Sequence, residues 1–344
     1  MNPAIQNDAE VYDQTLDPVL VDFPLDMSVR IYPLGFPLDL RTNSHDVVRT
    51  ARSIWGPFKQ KFDEVPMRID LGVLDNGSRE LPPMGTCRVR GHLLTSVQDA
   101  NNFSVVDCLQ GFAYAWITPF MAKRLEVEGY RMLEALVHHL LVTQHVVSLH
   151  AACVSLHGSG VLLGGDSRAG KTTLAYACAR SGWQYLCDDG SFLVRKLGGR
   201  TVLGNPSRVR FREDAIELFP EVRAATKFAL DGKPRIEIAT AALPHIETIT
   251  EARIDHVVFL KRRAGAKPRF RAVSKASLPY RLDWGQIYGL ESIRDGHQNA
   301  LDELLDTNLV EFEYSDLAEA VPALESLVEA GRLGAASWSR PASA

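Results

Sequence analysis

Apolar and polar positions alternate with two different periods along this chain, and the changes of period mark out its elements. In Met67-Arg68-Ile69-Asp70-Leu71 the alternation is strict, as in a half-buried strand, and Cys87–Leu93 reads as a second strand. Turn signals at Asp75-Asn76-Gly77-Ser78, Leu81-Pro82-Pro83 and Asn101-Asn102 separate such runs. Asn43 to Trp55 follows the helical period instead, with Val47, Val48, Ala51 and Ile54 on one side and Asn43 or Ser44 as N-cap. The stretch from Val21 to Ala115 therefore reads as α+β, and it holds no catalytic constellation.

Beyond it the pattern predicts one long helix from Pro119 to Val142, its apolar side built by Leu125, Met132, Leu133, Leu136, Leu140 and Leu141. Strands are predicted at Val146–Ser155 and Gly160–Gly164, joined by a turn at His157-Gly158-Ser159. A helix opening at Gly170 and a strand at Gln184–Cys187 follow. Later runs at Arg208–Phe211, Ile236–Ala239, Val257–Lys261 and Arg269–Val273 read as strands. Ser292–Asp306 and Asp316–Ala330 read as helices. The domain reading is a flexible tail over 1–15, an α+β domain over 16–118, an α/β domain over 119–330 and a Gly/Ala/Ser/Pro-rich tail over 331–344.

Composition changes this picture little. The 344 residues are 46% apolar and 23% charged, an average globular balance that excludes collagen-like, disulfide-scaffold and wholly disordered classes. A net charge of −4 gives no global reason to expect nucleic acid as partner. The N-terminus is polar and acidic where a secretory signal would be basic and then apolar. Residues 135–165 carry no formal charge, yet five histidines, Gln144 and several Ser and Gly interrupt them, which argues against a membrane span. Five scattered cysteines without a CxxC pair suit reduced thiols, so the expected compartment is the cytoplasm.

The strongest chemical signal is Gly165-Asp166-Ser167-Arg168-Ala169-Gly170-Lys171-Thr172, a full match to GxxxxGK[ST]. Its context is the required one, with an apolar strand (Val161-Leu162-Leu163) leading in and a helix from Thr173 leading out. Glycines let successive backbone N–H groups turn inward onto phosphate oxygens, and the positive end of the following helix adds to the attraction. Lys171 would then bridge the β- and γ-phosphates of ATP, and the Thr172 hydroxyl would ligate Mg²⁺. Residues Gly165 to Thr173 are thus the candidate nucleotide site.

The strand ending at Cys187 carries Asp188-Asp189, only 17 and 18 residues beyond Lys171. One helix of about ten residues, roughly 15 Å long, fills that gap and lets the strand return beside the loop. Two carboxylates there can divide their work, one holding metal and the other facing an acceptor hydroxyl as general base. Asp188 is assigned as the base and Asp189 as the metal carboxylate, with the order open.

Taken together, His150-Ala151-Ala152, the run Gly160–Leu174, Gly182-Trp183 and Asp188-Asp189 resemble the kinase domain of HPr kinase/phosphorylase. The match is firm over residues 148–194 and looser to about residue 240. Tyr32-Pro33-Leu34-Gly35-Phe36-Pro37 with Asn43-Ser44 also resembles the N-terminal region of HPr-kinase-related proteins of unassigned substrate. The resemblance implies a P-loop kinase fold of the HPr kinase/phosphoenolpyruvate carboxykinase type behind a smaller α+β domain. It implies transfer of the γ-phosphoryl of ATP, with Mg²⁺, to a protein serine, and a homo-oligomer. Carried onto this sequence, it implies Lys171 on the phosphates, Thr172 and Asp189 on Mg²⁺, Asp188 as catalytic carboxylate and His150 beside Asp188. The family's Leu-Glu-Ile-Arg-Gly-Leu-Gly stretch does not occur, which points to a protein or peptide acceptor other than HPr.

Three weaker signals remain. Arg208, Arg210 and Arg212 share one face of a strand, and Asp231-Gly232-Lys233-Pro234-Arg235 reads as a cationic turn; either set suits phosphate. Lys261 to Lys275 holds seven cations in a stretch without an acid between Asp255 and Asp283. Its Ala-Gly-Ala-Lys-Pro centre reads as the turn of a basic hairpin that would meet an anionic partner or acidic substrate flanks. His138, His139 and His145 lack metal-ligand neighbours and read as packing residues. The expected function is a Ser/Thr phosphotransferase. A nucleotide-binding regulator without transfer, and a small-molecule kinase, are the alternatives.

Overall fold

The structure is a computed structural model and describes residues 24–338 except 76, 78, 84, 127–130, 197–199, 231–232 and 276–289. The N-terminal tail, part of the Asp75–Ser78 turn, Asp231-Gly232 and the end of the C-terminal tail lie outside the described residues. The chain is a mixed α/β protein with several sheets, and it divides into two compact units. One takes the residues up to Cys87 with Thr95–Val105 and Phe112–Leu133; the other takes Arg88–Leu94, Val106–Gly111 and everything from Glu134. No described helix is long and apolar enough to cross a membrane.

The first elements are β1 (Met27–Ile31), β2 (Leu38–Thr42), α1 (His45–Trp55), β3 (Met67–Val73), β4 (Thr86–Arg90), β5 (Leu93–Asp99), β6 (Asn102–Asp107), β7 (Phe112–Ile117) and α2 (Pro119–Ala122). Their seven strands form one sheet in the order β1-β2-β3-β7-β6-β5-β4. The strict alternation of β3 is realised: Met67, Ile69 and Leu71 are buried. Helix α1 buries Val47, Thr50, Ala51 and Trp55, the stripe that its period specifies.

Next come α3 (Met132–Gln144), β8 (Val146–His150), β9 (Ala152–Leu156), β10 (Ser159–Gly164), α4 (Lys171–Arg180), β11 (Gln184–Cys187), β12 (Gly190–Val194) and β13 (Thr201–Leu203). They are followed by β14 (Arg208–Arg212), α5 (Ala215–Leu218), β15 (Thr226–Leu230), β16 (Lys233–Ala239), β17 (Glu251–Arg262), β18 (Arg269–Ala272), α6 (Glu291–Leu304), β19 (Asn308–Tyr314) and α7 (Leu317–Trp338). A nine-stranded sheet follows the path β11-β9-β10-β17-β13-β12-β8, with β19 and then β18 branching from β17. A separate three-stranded sheet has the order β14-β16-β15.

Strands β10, β17 and β19 run parallel at the centre and are buried, as strands covered on both faces must be. Helix α4 covers one face, burying Leu174, Ala175, Tyr176 and Cys178 with Trp183, Val258, Phe312 and Val328. The other face packs Leu162, Val257 and Phe259 against Leu301 and Leu304 of α6.

Four elements depart from the sequence pattern. The long helix predicted over Pro119–Val142 is two helices, α2 capped by the Thr118 hydroxyl and α3 starting at Met132. The described residues that follow α2, Lys123 to Glu126, are turn and not helix. The strand predicted over Val146–Ser155 is broken at Ala151 into β8 and β9, which join different neighbours, β12 and β10. The last helix runs on to Trp338, through Gly331 and Gly334, instead of ending at Ala330. Finally, β17 and β18 form no hairpin. Both pair with β19, which lies between them.

Candidate active site

Two turns in the chain build the site, and each has a local cause. Strand β10 delivers the chain at Gly164, and Gly165 then takes φ 142°, a value glycine adopts without strain. Ala169 N–H closes a turn onto the Asp166 carbonyl at 3.0 Å. Arg168 sits inside that turn at φ 74°, a left-handed conformation that costs a side-chain-bearing residue about 1–3 kcal/mol. Gly170 follows at φ 96° as N-cap of α4. A Cβ there would lie 2.5 Å from the Tyr314 hydroxyl, so the position has neither the torsion nor the room for a side chain. Tyr314 is buried and donates to the Ala169 carbonyl at 3.1 Å, fixing the loop from β19. Burial pushes its hydroxyl up to about 12, so it stays a neutral donor.

Lys171 is the first residue of α4 and is buried. Its ammonium donates to the Gly165 carbonyl at 2.8 Å and reaches toward that of Asp166 at 3.4 Å, which sets the charge inside the ring of the loop. Burial lowers its pKa, and the charges of Asp189 and Asp166 work against that shift. Thr172 and Thr173 are half-buried in the first helical turn, where backbone N–H groups have no intrahelical partner.

The second turn is the sheet corner. The chain leaves β9's sheet neighbourhood twice at one place, through Ala151 between β8 and β9 and through Asp188-Asp189 between β11 and β12. Ser191 Oγ pins this corner by donating to the Ala151 carbonyl at 2.9 Å, and Cys187 Sγ lies 3.1 Å from the same hydroxyl. Gly190 is in register with His150, so Asp189 emerges next to the imidazole. His150 Nδ1 stands 2.8 Å from Asp189 Oδ1. The resemblance implied His150 beside Asp188; the register puts it on Asp189 instead.

The two aspartates differ electrostatically. Burial pushes the Asp188 carboxyl up to about 6; the Arg210 N–H, donated to Oδ2 at 2.8 Å, opposes the shift and the charge of Asp189 adds to it. Asp189 is more exposed. Partial burial acts against its ionisation, but the His150 hydrogen bond and the charges of His150, Lys171 and Arg210 outweigh it and hold the carboxyl below its usual range. One carboxylate is thus poised near neutrality and the other kept ionised.

Arg210 belongs to β14, whose start is tied to β11 a second time by the Tyr185 hydroxyl on the Arg208 carbonyl at 3.3 Å. Glu237 of β16 takes both arginines, Arg208 at 2.8 Å and Arg210 at 2.6 Å. Arg208 and Arg210 do share a face, but Glu237 neutralises part of their charge. Sequence spacing gave no role to Glu237 or Tyr314. Tyr314 had a signal: Val310, Phe312 and Tyr314 alternate with Glu311 and Glu313. Glu237 had its place opposite Arg210 across β14 and β16, which only the pairing reveals.

Gly204 packs against Leu186, the residue before Cys187 at the corner. A Cβ on it would lie 2.3 Å from Leu186 Cδ2 and 3.0 Å from the Leu186 carbonyl. Gly204→Ala is therefore expected to destabilise the fold by about 1–3 kcal/mol, as overpacked sites do. A urea titration against the parent chain reads the effect directly.

Among the described residues no group of three or more His, Cys, Asp or Glu forms a metal cage. Mg²⁺ does not need one: it takes one or two protein oxygens, substrate phosphates and water. The Thr172 hydroxyl and the ionised Asp189 are hard oxygen donors of that kind. A cavity of about 740 Å³ opens at the far end of α4, lined by Arg180, Phe219, Arg262, Leu317 and Pro322 among others. None of the candidate residues lines it, so it has no part in this site.

No protein-family model matches the chain, and no curated protein matches it in sequence. Among solved structures, the chain is similar to the HPr(Ser) kinase/phosphatase from Coxiella burnetii. The two share 16% identity over 54% of this chain and 97% of that one, with a TM-score of 0.30. A likeness at that level does not decide function, which the residues of the loop and the corner must carry.

Proposed function

We propose that the chain is an ATP-dependent phosphotransferase whose acceptor is a hydroxyl, of Ser or Thr, on a protein or peptide other than HPr. The observation that carries this reading is the pairing of unlike carboxylates at one corner. Asp188, raised toward neutrality, adjoins Asp189, which is held ionised by His150 at 2.8 Å and by the charge of a lysine seated in a glycine-rich loop at a helix N-terminus.

In this reading the loop N–H groups from Gly165 to Thr173 and the Lys171 ammonium hold the β- and γ-phosphates. Both aim fixed positive charge at the oxygens where negative charge gathers during transfer. The Thr172 hydroxyl and Asp189 would hold Mg²⁺, which when bound supplies charge neutralisation between the phosphates. His150 orients Asp189 through its 2.8 Å contact and thereby fixes that oxygen's direction. Asp188 takes the acceptor hydroxyl proton, a task suited to a carboxyl raised toward the working pH. Arg210 keeps Asp188 in place through its backbone N–H, and Glu237 in turn holds the Arg210 side chain.

Nucleotide binding is tested apart from chemistry. Titration calorimetry with Mg·ATP is expected to give saturable binding that Lys171→Ala weakens by at least about 10-fold, the loss of one charge-assisted phosphate contact. Equal binding by the two proteins would remove Lys171 from the site.

A further inference from the structure

The basic stretch after residue 260 is not absorbed by the site above, and its placement points to a partner. Strand β19 lies between β17 and β18, and the sign of charge alternates across the three strands. Lys261 of β17 is 3.6 Å from Glu311 of β19. On the other side Arg269 faces Glu313 and Arg271 faces Glu311 in register. Arg263, Arg269 and Arg271 converge on the single carboxylate of Glu313 at 3.2, 3.0 and 3.9 Å. Glu313 is buried, while each of the three arginine side chains is more than half exposed. The Arg269 hydrogen bond, with Arg263 behind it, holds the Glu313 carboxyl below its usual range. Lys267 and Arg262 have no ion-pair partner among the described residues.

Cations therefore exceed acids on this part of the sheet: β18 carries Arg269 and Arg271 and no acid, and Arg262 and Lys267 flank it at the end of β17 and just before β18. Among the described residues β18 pairs only with β19, and no described strand lies along its other edge, where an edge strand presents its backbone N–H and C=O groups. Its side chains alternate: Arg269 and Arg271 on one face, Phe270 on the other, stacked on Phe312 with ring centroids 4.4 Å apart. Beside the strand's start a cleft of about 350 Å³ is lined by Ala266, Lys267, Pro268, Arg269 and Glu313. Charges of one sign on an edge deter a second copy of the same edge, and they attract a strand of the opposite sign.

We infer that the outer edge of β18 receives an extended acidic segment of a partner protein, which adds a strand to the sheet. Its acidic residues stand at every second position, opposite Arg269 and Arg271, with Lys267 at the mouth of the cleft. Backbone ladder bonds supply affinity and the alternating side chains supply selection, as in other strand-addition complexes. A polynucleotide brings charge but no peptide ladder. The strand begins at the end of the sheet where β17 and β19 reach the glycine-rich loop, since Arg269 pairs with Glu313, next to Tyr314. The surface does not depend on phosphotransfer, and its test needs no ATP.

The full chain is titrated into a fluorescein-labelled decapeptide that alternates glutamate with valine, followed by anisotropy. Controls are a peptide of the same composition with its glutamates in one block, a single-stranded oligonucleotide, and vesicles containing phosphatidylserine. Saturable binding of the alternating peptide is expected, at least about 5-fold tighter than the block peptide and weakened by salt. Lys267→Glu, a residue without a described partner, is expected to weaken it about 3-fold or more. The pair Arg269→Glu and Arg271→Glu, checked for folding by its melting curve, should weaken it at least about 10-fold. Equal affinity for the two peptides, indifference to Lys267→Glu, or tighter binding of the oligonucleotide or vesicles would overturn the inference.

Discussion

Asp188→Asn is expected to remove phosphoryl transfer by at least about 100-fold while leaving the chain folded and Mg·ATP bound. The size follows from the role: a positioned general base contributes roughly 10²–10⁴, and an amide cannot accept the hydroxyl proton. Binding survives because the phosphates meet Lys171 and the loop, and because Asn keeps an oxygen for the Arg210 N–H. Stability gives an independent reading of the same group. The folded carboxyl sits at about 6, above its ordinary 3.8, so the native state binds a proton more readily than the unfolded chain. The stabilisation this gives is complete below about pH 4 and is lost as pH rises through about 6. At pH 8 the ionised group therefore costs the fold on the order of 1–3 kcal/mol, which asparagine removes. The variant should melt at or above the parent at pH 8, the difference shrinking toward pH 4. Transfer by the parent should rise with pH through about 6 as the base ionises. A variant that melts well below the parent at pH 8, or that transfers at the parent's rate, would remove Asp188 from this role.

Gly170→Ala is the largest structural effect expected. The new Cβ meets the Tyr314 hydroxyl at 2.5 Å, and the backbone at φ 96° is one that side-chain-bearing residues rarely adopt. The torsion alone costs about 1–2 kcal/mol and a displaced hydrogen bond to Ala169 about 1 more. A loss of about 2–3 kcal/mol is expected, together with at least about 10-fold weaker nucleotide binding, because the first turn of α4 must move. The two causes separate. Adding Tyr314→Phe removes the clashing oxygen, so the double variant should recover part of the stability while the torsional share stays lost. Full recovery, or none, would contradict this division. Both readouts come from denaturant titration and calorimetry.

The glycine-rich loop was legible because its chemistry is local: positions 165–172 carry their torsions, their N–H groups and their lysine in one run. Asp188-Asp189 was legible for a related reason, since one short helix fixes how far the chain travels before returning. What escaped was set by pairing between distant segments. His150 was expected beside Asp188, but its neighbour is decided by the register of β8 on β12, which places Gly190 opposite and leaves Asp189 at the ring. The cationic stretch read as a hairpin because turn residues sit at its centre. The acids that separate its strands come from Glu311 and Glu313, some forty residues later. Two strands of like charge gain nothing from pairing directly, and an acidic strand between them satisfies both. The break between α2 and α3 escaped because apolar period alone does not mark where a helix ends.

Whether phosphate leaves ATP for a protein hydroxyl decides the proposed function. Purified chain is incubated with γ-labelled ATP, Mg²⁺ and a lysate from its own source, and the label is traced to protein, small molecules and free phosphate. Label is expected in a discrete protein band, stable to acid and released by base as phosphoserine and phosphothreonine esters are, and absent with Asp188→Asn. Label confined to metabolites or free phosphate, or a band equally strong with Asp188→Asn, would contradict the proposal.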